Sequence, residues 1–148
     1  MRKPYQVLVF PYKKIEGEFK YAIFLREDLK VWQGIAGGGE SGETVLASAK
    51  REAYEEANIS LNAKFEKLDS YTKIPVVDVV GSFKWGDETF LIEEFCFGVN
   101  AQDEEIKISS EHLKYEWVNY EEAIQRLKWD SNKTALWELN EKLKRRKN

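Results

Sequence analysis

Runs of apolar residues of strand length recur along this chain and are separated by polar turns. Their length and their β-branched or aromatic residues predict β-strands. The predicted strands cover residues 5–11, 19–26, 31–36, 61–74, 89–99 and 110–118, with 61–74 forming one long strand or two short ones before Pro75. A turn at residues 13–18, which contains Gly17, separates the first two strands. The pattern therefore predicts a β-sheet.

Two of these strands carry polar residues in an informative order. The run at 110–118 alternates, with Leu113, Tyr115 and Trp117 on one side, which predicts a half-buried strand. In 89–99 the alternation breaks at Glu93 and Glu94, so one carboxylate points inward or the strand lies at an edge of the sheet. We expect Glu94 to face the site.

A helical pattern replaces the strand pattern at residues 44–57. Thr44 suits the N-cap position, and Asn58 suits a left-handed C-cap. The apolar positions recur with the spacing of a buried helical stripe. They are Leu46, Ala49, Ala53 and Ala57. This stripe predicts which face of the helix packs inward.

Two further helices are predicted at residues 120–128 and 133–144. Their inward positions are Ala123, Ile124, Leu127, Leu136, Leu139 and Leu143. Short strands with one early and two late helices predict an α/β fold, in which a mixed sheet is packed between helices. With 148 residues, we expect a single domain that spans residues 1–148.

Three glutamates share one edge of the helix at 44–57. Glu52, Glu55 and Glu56 stand at i, i+3 and i+4, so their carboxylates lie side by side. Like charges at these spacings repel by about 0.2–0.5 kcal/mol per pair. A hard divalent cation, Mg2+ or Mn2+, would neutralise them through oxygen ligands. The alternative is a solvated acidic face.

A glycine-rich segment precedes this helix. Gly37, Gly38 and Gly39 let the backbone approach a ligand closely and present its carbonyl or amide groups. We expect them to form a turn with positive φ, and Gly42 to allow the turn into the helix. These flanking glycines favour a functional site over a solvated acidic face.

The composition narrows the possible partners and the location. Charged residues make up 33% and hydrophobic residues 43% of the chain, a balance typical of globular proteins. The formal net charge of -3 argues against a surface for nucleic acid polymers. The single cysteine, Cys96, cannot form an internal disulfide and fits a reducing cytoplasm. No signal peptide or membrane-length apolar run is visible, so we expect a cytoplasmic protein. The oligomeric state stays open.

The segment 37–59 resembles the Nudix box, the sequence motif of the Nudix hydrolases. That motif is a glycine, five residues, a glutamate, seven residues, and then Arg-Glu-apolar-x-Glu-Glu-x-Gly-apolar. It is matched here by Gly37, Glu43, Arg51, Glu52, Ala53, Glu55, Glu56 and Ile59. Asn58 replaces the final glycine, and asparagine tolerates the same cap geometry. The fixed spacing makes the motif specific.

This resemblance implies an α/β/α sandwich that hydrolyses a diphosphate bond in a nucleoside diphosphate linked to another group. It also implies a metal site made of the box glutamates, a backbone carbonyl and a carboxylate from a loop outside the box. The predicted metal set is Gly37, Glu52, Glu55, Glu56 and Glu111. Glu52, or Glu111 instead, would act as general base. Arg51 would orient Glu52, and Glu43 would pair with Arg51.

Four residues outside the metal set are predicted to contact the substrate. They are Arg26, Gln33, Gly38 and Glu94. Arg26 suits a phosphate or ribose contact, and a surface ion pair is the alternative. Gln33 suits the edge of a heterocycle, whereas its neighbour Trp32 is assigned to packing. His112 is assigned a structural role, and we expect the loop 76–88 at the mouth of the site.

Three segments beyond the box resemble the dihydroneopterin triphosphate pyrophosphatase subgroup, whose members are also called dATP pyrophosphohydrolases. They are Trp32-Gln33, residues 111–117 and residues 129–133. The resemblance implies that a nucleoside, deoxynucleoside or dihydroneopterin triphosphate is cleaved to the monophosphate and pyrophosphate. One alternative is hydrolysis of ADP-ribose or a dinucleoside polyphosphate. The other is a non-catalytic nucleotide sensor, which the intact set of glutamates disfavours.

Overall fold

Seven strands form one mixed sheet in the computed structural model, which describes residues 2–79 and 85–146. The strands are β1 (Arg2–Ile15), β2 (Glu18–Arg26), β3 (Trp32–Gln33), β4 (Ile35–Glu40), β5 (Phe65–Pro75), β6 (Leu91–Asn100) and β7 (His112–Val118). They follow the order β3-β2-β1-β6-β5, with β4 paired to β1 and β7 paired to β2. The β1–β6 pair is parallel and the other pairs described are antiparallel, which confirms a mixed sheet.

Helices cover both faces of this sheet. They are α1 (Val45–Ala57), α2 (Tyr120–Arg126) and α3 (Asp130–Arg146). Val7 and Val9 of β1 pack against the alanines of α1, whereas Leu8 and Phe10 pack against α2 and α3. Successive positions of β1 thus point to opposite layers, as the two-residue repeat of a strand requires. The predicted α/β/α sandwich is confirmed. None of the described helices is long and apolar enough to cross a membrane.

The caps of α1 are those that the sequence predicts. The Thr44 side chain accepts a hydrogen bond from the Ala47 N–H at the start of the helix. Asn58 ends it with a φ of 61°, in the left-handed region. Both signals are local to the helix ends, which explains why they can be recognised from the sequence.

The predicted apolar stripe of α1 is wrong at one position. Leu46 is 43% exposed, whereas Ala49, Ala53 and Ala57 are fully buried. The buried face begins instead at Val45, which packs against the core, and continues at i+3, i+4 and i+7. Its members are Val45, Ser48, Ala49, Glu52, Ala53, Glu56 and Ala57. Two of the clustered glutamates therefore lie on the inward face.

The first predicted turn is wrong in its length. Residues 13–15 continue β1, and β2 begins at Glu18, so the turn contains Glu16 and Gly17 alone. These two residues have φ values of 52° and 81°, as a two-residue hairpin turn requires. The strands are longer than predicted because each supplies a hydrogen-bonding partner for the polar end of the other.

The glycine segment is a strand, so the predicted turn at Gly37–Gly39 is wrong. The predicted strand at 31–36 divides into β3 and β4, and β4 continues through the glycines to Glu40. Gly38 pairs with Gln6 of β1 in this ladder. The turn lies further on, at Gly42, whose φ is 85°.

Two of these glycines are required for space rather than for a left-handed conformation. A Cβ atom on Gly37 would overlap the carboxyl group of Glu52. A Cβ atom on Gly39 would overlap the ring of Tyr5. Glycine in β4 therefore lets the carboxyl group of Glu52 lie directly against the strand.

A β-bulge changes the predicted alternation of β7. Leu25 pairs with Lys114 and Arg26 pairs with His112, so Leu113 is the extra residue. Leu113 is consequently 48% exposed, contrary to its predicted burial, while Tyr115 and Trp117 are half-buried. The bulge also turns His112 inward.

The remaining elements are found with shifted ends. The segment at 61–74 forms the single strand β5, which ends at Pro75 and has an irregular register between Lys67 and Tyr71. The two late helices are confirmed, although α3 begins earlier, at Asp130. The loop predicted at 76–88 starts with a 3-10 turn at Val76–Asp78, and its part at 80–84 lies outside the described residues.

Candidate active site

A cavity of about 630 Å³ joins the acidic face of α1 to the polar side chains of β1, β6 and the start of α3. Most of the predicted site residues line it. They are Arg26, Gln33, Gly37, Glu52, Glu55, Glu56, Glu94 and Glu111. Arg51 and Gly38 are not part of this wall, and Arg51 Nη2 donates a hydrogen bond of 2.7 Å to the Gly38 carbonyl.

Arg51 binds three carboxylates of the glycine-helix segment. Its Nε lies 2.6 Å from Glu43 Oε2, and its Nη1 lies 2.8 Å from Glu52 Oε2 and 3.1 Å from Glu55 Oε1. The predicted pairing of Glu43 with Arg51 is confirmed, and this hydrogen bond holds the pKa of Glu43 below its ordinary value. Arg51 therefore holds one carboxylate oxygen of Glu52, Oε2, and makes no hydrogen bond to the other, Oε1.

Glu52 and Glu56 are buried carboxyl groups, with exposures of 8% and 6%. Burial raises the pKa of Glu52 to about 7, against the opposing effect of Arg51. Burial and the adjacent Glu111 raise the pKa of Glu56 to about 8, although the Ser109 hydroxyl donates a hydrogen bond to it. These two groups therefore exchange protons near neutral pH, and a bound cation would take the place of those protons.

The other predicted metal ligands surround this pair. Glu55 is turned to Arg51, Glu111 is exposed beside Glu56, and Gly37 lies against Glu52. Among residues 2–79 and 85–146, no three acidic, histidine or cysteine side chains are gathered closely enough to hold a metal ion as they are placed. A metal site here requires the carboxylates to turn towards one another.

His112 is buried in the same wall, at 7% exposure. Its ring packs 5.2 Å from the Phe24 ring, and its Nε2 lies 3.8 Å from Glu56 Oε1. Neither ring nitrogen has a hydrogen-bond partner among the described residues. Burial lowers the pKa of His112, so the neutral imidazole is favoured. The structural role predicted for His112 agrees with its contact to Phe24. Its position in the cavity wall was not predicted.

Arg26 and Gln33 form a buried pair on the β2–β3 side of the cavity, each 5% exposed. Arg26 makes two hydrogen bonds to Asp28, of 2.8 and 2.6 Å. The ion pair that was the alternative prediction is therefore present, but its guanidinium group is buried and does not lie at the surface. Gln33 Oε1 accepts hydrogen bonds from Trp129 Nε1 at 2.9 Å and from Arg26 Nη1 at 3.4 Å. The packing role predicted for Trp32 is confirmed, since it packs against the helical core.

Glu94 points into the protein, as expected, and the alternative of an edge strand is wrong. β6 lies between β1 and β5 in the sheet, and Glu94 is 1% exposed. Gln6 Nε2 donates a hydrogen bond of 2.6 Å to Glu94 Oε2. Glu93 faces the opposite side, where it accepts a hydrogen bond from the Tyr71 hydroxyl.

Several residues of the cavity wall were not predicted as site residues, among them Gln6, Trp129 and Asn132. Gln6 had a signal, since it is the polar residue within the otherwise apolar or aromatic run 5–10. Asn132 is 2% exposed, and its Oδ1 accepts a hydrogen bond of 2.8 Å from the Gly34 N–H. This contact joins distant parts of the chain, so no local pattern indicates it.

The raised pKa values predict that the metal-free protein loses stability between pH 6.5 and about 8. Folded Glu52 and Glu56 keep their protons up to pH values of about 7 and about 8, whereas an ordinary glutamate releases its proton near 4.5. The folded state then holds more protons than the unfolded state, so the free energy of unfolding falls as pH rises. The buried His112 acts in the opposite direction only below its ordinary pKa of 6.5.

Thermal unfolding in a chelator, measured at steps across this window, tests that prediction. The melting temperature should fall with rising pH, and the Glu56→Gln variant should show a flatter profile. A melting temperature that stays constant or rises in the wild type would contradict the raised pKa values.

Comparisons with known proteins agree with this geometry. The family model described as the NUDIX domain matches residues 18–137. Among curated proteins, the dihydroneopterin triphosphate diphosphatase of Escherichia coli K12 is 26% identical over 139 residues, which cover 91% of this chain and 91% of that protein.

Solved structures show the same relationship. A candidate Nudix hydrolase from Listeria monocytogenes is 42% identical, with a TM-score of 0.87 and coverage of 97% of both chains. The E. coli dihydroneopterin triphosphate pyrophosphohydrolase is 22% identical, with a TM-score of 0.77 and coverage of 94% of this chain and 97% of that one. This second likeness concerns the fold.

Proposed function

The chain belongs to the Nudix family and is a Nudix hydrolase, and we propose that it cleaves a nucleoside, deoxynucleoside or dihydroneopterin triphosphate to the monophosphate and pyrophosphate. The bond broken would be the anhydride between the first and second phosphates. Water would supply the oxygen and the protons that the two products gain.

The observation that supports this proposal is the meeting of two chemically different regions in one cavity. One region holds the buried carboxyl groups of Glu52 and Glu56, which suit a cation and the phosphates it neutralises. The other region presents the polar side chains of Gln33, Glu94 and Trp129 at fixed positions, as recognition of a heterocycle requires. A molecule with a phosphate chain at one end and a heterocycle at the other matches both regions.

Nudix hydrolases generally use divalent metal ions, and the oxygen donors of this site fit Mg2+, with Mn2+ as the alternative. Burial raises the pKa values of Glu52 and Glu56, and a bound cation would favour their ionised forms. The proposed ligands are the Gly37 carbonyl and the side chains of Glu52, Glu55, Glu56 and Glu111. When bound, the ion would supply charge stabilisation at the phosphoryl oxygens.

Glu52 is the first candidate for the general base. It lies in the cavity wall, and in the metal-free protein burial raises the pKa of its carboxyl group to about 7. Arg51 Nη1 holds Glu52 Oε2 at 2.8 Å, so Oε1 is the oxygen that would take the proton from the attacking water. Glu111 is the second candidate, because it is exposed beside Glu56 in the cavity wall.

Two alternatives differ from this proposal in their products. The choice of a triphosphate follows the curated relative named dihydroneopterin triphosphate diphosphatase. Hydrolysis of ADP-ribose or a dinucleoside polyphosphate would release nucleotide or sugar phosphates and no pyrophosphate from the same chemistry. A sensor without catalysis is disfavoured, because Glu52, Glu55 and Glu56 are all present and line the cavity.

Product analysis on a panel of substrates tests the proposal. With Mg2+, we expect release of pyrophosphate from at least one of dATP, the other nucleoside triphosphates and dihydroneopterin triphosphate, and no release of it in a chelator. Turnover of ADP-ribose alone would retain the family chemistry and overturn the substrate. Stoichiometric binding of a triphosphate without any product would favour the sensor.

A further inference from the structure

One carboxyl group of the cavity wall has no part in the phosphate chemistry. Glu94 is 1% exposed on β6, in the interior of the sheet. Gln6 occupies its Oε2, while its Oε1 has no hydrogen-bond partner among the described residues. A buried polar atom without a partner is unfavourable, so it indicates a place where a ligand or water supplies the missing hydrogen bond.

The sheet register places this group in a polar row that faces the cavity. Glu94 pairs with Gln6 of β1 on one side and with Thr72 of β5 on the other. Residues paired across neighbouring strands point to the same face of a sheet, and all three line the cavity. This row therefore presents polar groups to a ligand in the cavity.

The charge state of Glu94 depends on its hydrogen bonds. Burial is the largest effect and raises the pKa of its carboxyl group, while the Ser131 and Gln6 side chains oppose that rise. Without a ligand the neutral carboxyl group is therefore favoured. A ligand that brings an N–H donor to Oε1 would favour the ionised, hydrogen-bond-accepting form.

We propose that Glu94, positioned by Gln6, determines specificity by accepting hydrogen bonds from N–H groups on the heterocyclic end of the substrate. The matching chemistry is a ring N–H next to an exocyclic amino group, the 2-amino-4-oxo edge that guanine and pterin rings share. Adenine presents a ring nitrogen that accepts hydrogen bonds beside its amino group. This acceptor would face a carboxylate oxygen, which is also an acceptor, so the two would repel. The inference rests on the proposed function, because it assumes a heterocycle in this cavity.

Binding of GMP and IMP tests the inference, since these ligands differ only in the 2-amino group. In calorimetric titrations of the Mg2+-loaded protein, we expect the wild type to bind GMP about tenfold more tightly than IMP, the effect of one hydrogen bond to a charged acceptor. AMP should bind more weakly than either. Equal affinity for GMP and IMP would overturn the inference, and so would a preference for AMP, which fits a protonated Glu94 that donates.

The Glu94→Gln variant should abolish the preference for GMP. Its single acceptor oxygen would be taken by Gln6 Nε2, so that its amide N–H groups would face the donor edge of guanine. The matched control is Glu93→Gln, which makes the same change at the neighbouring residue that faces Tyr71 instead. We expect this control to keep the wild-type ratio of the two affinities.

Catalysis supplies a second readout, because Glu94 acts on the heterocycle and not on the phosphates. Glu94→Gln should raise KM for GTP about tenfold and leave kcat close to the wild-type value. Equal loss of activity towards GTP and ITP would overturn the inference while the proposed function stands. Failure of the wild type to hydrolyse any triphosphate would overturn the proposed function. The wild-type affinities for GMP and IMP would still test the inference in that case, and also if the Glu94→Gln variant does not fold.

Discussion

Replacing Glu56 by glutamine is expected to lower kcat for the preferred substrate by about 10²–10³-fold, a loss typical of removing one preorganised charge-stabilising group. Glu56 is 6% exposed and lies in the cavity wall beside Glu111. The amide keeps the shape of the side chain, but it cannot provide the negative charge that a divalent cation requires. Steady-state kinetics at saturating Mg2+ measure this loss.

The same substitution should raise the stability of the metal-free fold. Burial and the neighbouring Glu111 raise the pKa of Glu56 to about 8, so its ionised form is unfavourable inside the protein. A neutral amide removes that unfavourable charge. Thermal unfolding at alkaline pH in a chelator should therefore show a higher melting temperature for the variant than for the wild type.

Opposite effects on activity and stability separate a ligand role from a merely structural one. Glu121→Gln makes the same chemical change at an exposed position on α2, and we expect it to alter neither property. Unchanged Mg2+-dependent turnover in Glu56→Gln would contradict the assignment of Glu56 to the metal set. A lower melting temperature would instead indicate that the carboxylate stabilises the fold.

The features that the sequence predicts correctly are those set by neighbouring residues. The caps of α1 depend on Thr44 and Asn58 within one helical turn of its ends. The box glutamates are brought together by helical periodicity alone, which is why the acidic wall of the cavity could be predicted residue by residue. Arg51 and Glu43 meet across one short turn between β4 and α1.

The errors occur where a residue depends on a partner strand. Gly37–Gly39 have the composition of a turn, but pairing with β1 makes them part of a strand. Leu113 follows the alternation of its own run, but the bulge opposite Leu25 and Arg26 removes it from that alternation. The partner and the register are not properties of the local sequence, so periodicity could not supply them.

The polar half of the cavity was only partly predicted for the same reason. Glu94 interrupts the pattern of its strand and was therefore expected to face inward, as the structure shows. Its partner Gln6 is distant in sequence, and it meets Glu94 only because β1 and β6 are parallel neighbours. The burial of His112 likewise follows from the bulge in β7.

Replacing Gly37 by alanine is expected to lower activity by about 10²-fold, the loss associated with displacing a catalytic group by about 1 Å. The new Cβ atom would overlap the carboxyl group of Glu52, which must then rotate away from β4 and from Arg51. The backbone does not require glycine here, because Gly37 lies in a strand and has no positive φ. The fold should therefore survive, and the melting temperature should change little.

Gly39→Ala is the matched control, because it places the same methyl group two residues further along the same face of β4. There the Cβ atom would overlap the ring of Tyr5, whose hydroxyl lies 2.7 Å from Ser48 Oγ and whose ring packs edge-on against Phe95. Moving a packed ring should cost about 1–3 kcal/mol of stability. We expect a clear drop in melting temperature in this variant and a smaller loss of kcat in the protein that remains folded.

The two alanine variants together distinguish the space required by the site from the space required by the core. If Gly37→Ala kept full activity, Glu52 would not need its observed position against β4, and the general base would have to be Glu111. If it lost activity and stability together, the contact between Gly37 and Glu52 would serve packing. If Glu52 must be held in position, Gly37→Ala should lose kcat and keep its melting temperature. Gly39→Ala should show the reverse, a lower melting temperature with a smaller loss of kcat.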